Sequence, residues 1–132
     1  MRTTNETFEK FRDVDFSEIL DTMGAYNDQL ITAGVLRAAE GLDDPANGVV
    51  VDFTTGSPVV VGGPYGDTEK LFNGYYILEV ESLDDAVAWA IKMPLMEGSK
   101  VEIRRVPSID EFPQDSKWVR SEREWRENTG QL

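Results

Sequence analysis

Two β-branched runs, "GVVVDFT" (48–54) and "PVVVGG" (58–63), stand on either side of "TGS". That spacing predicts a β-hairpin: Gly56 supplies the permissive backbone of a tight loop, and β-branched side chains suit a pleated strand. A hairpin in mid-chain commits the fold to antiparallel pairing, and its flanks decide the rest. Upstream, "DFSEILDTMGAYNDQLITAGVL" sets Ile19, Leu20, Met23, Tyr26, Asn27, Leu30 and Ile31 at helical spacings. Asp15 or Ser17 can cap its start, and Gly34 sits where a helix stops.

"VLRAAEGL" (35–42) then reads as a strand or extended segment, ended by "DDPANG". Downstream of the hairpin, "GYYILEVES" (74–82) alternates Tyr75, Ile77 and Glu79 against Tyr76, Leu78 and Val80. Ser82 opens a second helix with Asp84 and Asp85 in its first turn, and Pro94 closes it. "SKVEIRRVP" (99–107) alternates like a last strand. Helix, strand, hairpin, strand, helix, strand predicts an α+β domain over 1–107, an antiparallel-rich sheet with helices on one face. The other face then needs cover, which dimerisation can supply. The tail 108–132 puts Trp118 and Trp125 seven residues apart, on one side of a predicted helix docked on the domain or on a dimer mate.

Composition removes whole chemistries. With no cysteine there is no disulfide and no thiolate nucleophile or thiolate metal site. With no histidine, serine–histidine and cysteine–histidine dyads are impossible, and a metal site would have to be all oxygen. A net charge of −12 argues against nucleic acid, whose phosphates demand a basic face. No apolar run reaches the ~18 residues of a membrane span, and "MRTTNETFEKFRDVDF" lacks the apolar core of a signal peptide, so a cytoplasmic location away from membranes is expected. No GxGxxG or Walker pattern occurs, so no cofactor is expected.

The segments "GVLRAAEGL" and "GGPYGDTEKLFNGYYILEVESLDDAVAWA", in that order around the hairpin, resemble the YCII-related proteins, the DGPF-domain family, over roughly residues 17–106. The resemblance implies a ferredoxin-like subunit that pairs into a dimeric α/β barrel, and relatives that are small enzymes thought to use a His–Asp pair. The chain departs from that pattern. The motif's leading acid is Gly62 here, its glycine and proline are Gly63 and Pro64, and its phenylalanine is Tyr65. Its later acid survives as Asp67, followed by Thr68 and Glu69–Lys70. The family's N-terminal strand is shortened or missing, since "MRTTNE" looks like the residues just after it; a stub over Met1–Thr4 or a misassigned start is expected.

The candidate site residues follow. Glu40, matching the family's "GEGL" segment, is an acid–base group if half-buried, or else a carboxylate paired with Arg37 or Arg105. Asp67, with Thr68 and Glu69, forms an acidic pocket for a cation or a solvated loop. Tyr65 either orients a ligand or anchors the loop, and Tyr26 with Tyr76 either lines a helix–sheet cavity or fills the core. The expected roles are therefore catalysis for Glu40 and Asp67, and ligand binding for Tyr65, Tyr26, Thr68 and Arg105. Two functions fit: a homodimeric module that binds a small ligand or a protein partner, a regulatory role included, without histidine-based catalysis; or a histidine-free isomerase, lyase or dehydrohalogenase with a carboxylate base.

Overall fold

The computed structural model describes residues 16–131. The expected N-terminal stub and the Asp15 cap lie outside these residues. Helix α1 (Phe16–Thr32) is followed by strand β1 (Leu36–Gly41), the hairpin strands β2 (Val49–Asp52) and β3 (Val59–Gly62), and strand β4 (Gly74–Leu78). Helix α2 (Leu83–Ile91) and a C-terminal helix α3 (Lys117–Asn128) complete the order, with short 3-10 turns at Pro45–Asn47, Thr68–Lys70 and Ile109–Glu111.

Each helix ends as its sequence dictates. At the end of α1 the Gly34 N–H donates to the Ile31 carbonyl at 2.9 Å and the Val35 N–H to that of Leu30 at 3.1 Å. This doubly bonded stop needs left-handed backbone, and Gly34 has φ of 72°. At the start of α2, the Ser82 hydroxyl accepts from the Asp85 N–H at 3.1 Å, with Asp84 and Asp85 in the first turn where the helix dipole favours them.

β1 pairs antiparallel with β4, setting Ala39 opposite Tyr76, Glu40 opposite Tyr75 and Ala38 opposite Ile77, with an irregularity between Leu36 and Ala38. The side chains of β4 and the two residues after it separate as alternation requires: Tyr76, Leu78 and Val80 are half-buried, while Tyr75, Ile77 and Glu79 are exposed. On the covered face, the Tyr76 hydroxyl donates to Asn27 Oδ1 of α1 at 2.8 Å. The Tyr26 ring meets that of Tyr76 edge-on at 6.0 Å, and the Tyr26 hydroxyl donates to the Trp89 carbonyl of α2 at 3.0 Å. These bonds bring α1 and α2 together on the same side of the sheet. The core is small: among the described residues, its buried apolar side chains are Tyr26, Leu30 and Ile109.

Two expectations change. The hairpin does not join β1 and β4 in one sheet; β2 and β3 form their own two-stranded ladder, Val50 opposite Val61 and Val51 opposite Val60. It extends one step further where the Gly63 N–H donates to the Gly48 carbonyl at 2.9 Å. The run 99–107 forms no strand either, beyond a single bridge at Lys100. Alternation makes that run suited to a ladder, but a ladder exists only with a neighbour. Among the described residues no neighbouring strand forms a ladder with this run.

The tail organises around its own polar contacts. Ser108 and Glu111 form a reciprocal capping box on the Ile109–Glu111 turn. Arg105 Nη2 donates to Glu111 Oε2 at 2.9 Å, and Arg123 of α3 donates to both Asp110 and Gln114 at 2.7 Å. These bonds run from Arg105 through the turn to α3, across the expected division at 107/108.

Candidate functional site

An open groove of about 710 Å³ runs beside the hairpin, lined by Val50, Val51, Asp52, Phe53, Thr54 and Val61 together with the Pro64–Gly66 loop. The β-branched runs that make the hairpin also give the groove apolar walls. Pro64 fixes the entering backbone, and Gly63 and Gly66 adopt φ of 97° and 72°, which lets the loop turn sharply on both sides of Tyr65. Tyr65 is 75% exposed, so its phenol is available to a molecule entering the groove.

Asp52 supplies fixed charge at this site. Its Oδ1 accepts from the Thr54 N–H at 2.8 Å, closing an Asx turn at the end of β2. That backbone bond, and after it the Thr54 hydroxyl, holds the carboxyl below its usual range, outweighing desolvation. A carboxylate kept ionised in this way is an anchor for a cation or a hydrogen-bond donor. It is a poor general base, since base catalysis near neutral pH wants a raised value.

The remaining sequence candidates are dispersed. Asp67 and Thr68 follow Tyr65 by two and three residues, at the start of the Thr68–Lys70 turn; Asp67 is ion-paired with Lys70 at 3.1 Å. Glu40 stands in the other sheet, exposed and directly opposite Tyr75 on the open face. The two arginines considered as its partners are engaged with other carboxylates, Arg37 with Glu79 and Arg105 with Glu111. Tyr26 is 2% exposed, bonded across the core to the Trp89 carbonyl, and burial followed by the neighbouring Tyr76 pushes its phenol above the ordinary 10.0. Arg105 belongs to the tail. The structure thus places Tyr65 in the groove, with Asp67 and Thr68 close along the chain, and keeps Glu40, Tyr26 and Arg105 apart from it.

Sequence reasoning missed Asp52, Phe53 and Thr54, which look like hairpin filler in a linear reading. The available signal was D-x-T at the end of a β-branched run, the pattern of an Asx turn. Among the described residues no three carboxylates converge on a metal-binding arrangement, and no helix is long and apolar enough to cross a membrane.

No curated protein matches the chain. The YCII-related domain profile matches residues 7–110, which takes in α1, all four strands and α2 and leaves α3 outside. By that match, and by the order of elements it spans, the chain belongs to the YCII-related domain family.

Proposed function

We propose that this YCII-related protein is a small-ligand-binding module that works as a homodimer, and that the groove beside the hairpin is its ligand site. The observation that carries this reading is the pairing of apolar walls with one carboxylate held ionised, Asp52, and one accessible phenol, Tyr65. Such a lining suits a molecule with an aromatic or aliphatic body and a single ammonium or other donor group. Asp67 and Thr68 extend the acidic, hydrogen-bonding character of the loop beyond Tyr65. The homodimer is supported by the uncovered face of the β1–β4 sheet, where Tyr75 and Ile77 remain 40% and 43% exposed. Two such faces packed together make the dimeric barrel of ferredoxin-like subunits that the family resemblance implies.

Thermal-shift measurements with arylalkylamines, set against the matching carboxylates, test the ligand class. A saturating amine at a hundredfold its Kd stabilises the fold by about 2.7 kcal/mol, and Asp52→Asn or Tyr65→Ala removes most of that gain. No shift with any amine, or a shift indifferent to both substitutions, overturns the reading.

One observation favours the second reading, a histidine-free enzyme. Glu40 is exposed on the open side of the sheet beside Tyr75, while Arg37 and Arg105 pair with Glu79 and Glu111. In that reading Glu40 is the carboxylate base, with Asp67 as the other candidate. Loss of turnover with intact binding in Glu40→Gln would establish it, and turnover unaffected by Glu40→Gln would remove Glu40 from that role.

A further inference from the structure

Two apolar faces of this chain remain open to solvent, and they complement each other. On α3, Trp118 and Trp125 share one side and are 71% and 54% exposed, while Val119, Arg123 and Arg126 on another side are half-buried. On the hairpin, the register puts Val49, Val51 and Val60 on a single face, and Phe53 continues it by alternation. These four are 67%, 48%, 67% and 70% exposed, with no polar side chain among them. An isolated two-stranded hairpin is marginal in water, and a face this apolar needs cover.

We infer that α3 of one copy lies across this hairpin face of a second copy, and the reverse, with the two tryptophans seated on the valines and Phe53. A two-fold axis makes each copy both donor and receiver, so the contact closes on itself instead of propagating. The inference rests on the homodimer proposed above only in needing two copies; it depends neither on how their sheets meet nor on any ligand.

Area and charge both favour a second copy as the occupant. Large aromatic side chains bury 150–250 Å² each, so the exposed parts of these six residues offer about 700 Å² per copy, close to the ~800 Å² per partner of a stable interface. Charge is complementary as well. Residues 38–69, which contain the hairpin, carry six acids and no lysine or arginine. α3 carries Lys117, Arg120, Arg123 and Arg126 against three glutamates, on a chain whose net charge is −12. A helix of net charge +1 thus meets a segment of net charge −6, which steers the encounter and disfavours registers that bring like charges together. Val51 and Phe53 also line the groove, so a docked α3 flanks its open side.

Light-scattering mass in the micromolar range tests the docking. The intact chain is expected at twice 14.8 kDa. The Trp118→Ala/Trp125→Ala variant and Phe53→Asp are each expected to weaken the dimer by at least about thirtyfold, the loss typical of an interface hot spot, with circular dichroism unchanged because these side chains are exposed. If Phe53→Asp loses its folded spectrum, Val60→Ser is measured in its place. A monomeric wild type overturns the inference. So does a dimer indifferent to the tryptophans, and so does one that needs the tryptophans but not the hairpin residue. A dimer broken by Ile77→Asp yet untouched by the tryptophan and Phe53 changes retains the sheet-face pairing and overturns this docking alone.

Discussion

Gly74 is a residue the fold cannot exchange. It lies buried opposite Gly41, and a Cβ built there would stand 2.9 Å from the Glu40 carbonyl oxygen, a backbone atom with no room to yield. Gly74→Ala is expected to cost about 1–3 kcal/mol through overpacking, read as a lower urea midpoint; an unchanged midpoint would mean that β1 and β4 can separate locally at no cost. Tyr26 presents the opposite case, a polar group whose burial is tolerated because it is bonded. Tyr26→Phe removes the bond to the Trp89 carbonyl and is expected to cost about 1 kcal/mol at neutral pH. The titration has a definite sign. The folded-state value of Tyr26 is raised above 10.0, so the native state holds this proton more tightly than the unfolded chain does. Its contribution is complete below pH 10 and disappears as pH climbs through the raised value. The alkaline limb of a stability–pH curve should therefore be shallower in Tyr26→Phe than in the wild type, and parallel limbs would contradict the assignment.

At the scale of elements, the tail hangs on one carboxylate. Arg105, and after it the Ser108 N–H, hold Glu111 at about 2, down from 4.5. A lowered folded-state value gives stability that is present above pH 4.5 and is lost as pH falls towards about 2. Because the pair is exposed, the effect belongs to the tail and is modest. Near-ultraviolet circular dichroism of the tryptophans, followed from pH 5 to pH 2, should change in the wild type as pH approaches 2. In Glu111→Gln that acid step should be absent, its signal already displaced at pH 5; a step of the same size in both would remove Glu111 as the pin. The same scale shows how far a linear reading reaches. α1, β1, the hairpin, β4 and α2 are legible because their signals are local: a period of 3.6 or 2, a serine before acids, a glycine where φ turns positive. The run 99–107 has an equally clear period of 2, yet strand formation depends on a neighbour distant in sequence, which no local pattern encodes. Asp52 and Thr54 were legible only as a turn. Their place in a groove arises because Pro64–Gly66 comes alongside β2, a tertiary event, and Glu40 and Tyr75 likewise become neighbours only through the register of two strands far apart in sequence.

The molecule as a whole combines a two-layer body with an arm. The body is tied by the Tyr26, Tyr76 and Asn27 contacts, whereas among the described residues β2 and β3 pair only with each other. Units with few buried apolar contacts open at low free energy. In dilute monomer, amides of 49–62 are expected to exchange deuterium at least about tenfold faster than those of 74–78; equal protection would show that the arm folds as part of the body.

That separation leaves the arm's length free to vary. Its two strands return to nearly the same point, the Gly48–Gly63 step, and the tip at 54–57 is a plain turn. Inserting a matched pair of residues in each strand would lengthen the groove and preserve which side chains face it, while a single-residue insertion would turn the strand over beyond that point. Related chains can therefore reshape the recognition surface in increments of two without disturbing the layer that carries it, and the arm is the natural part of this architecture for diversification or redesign.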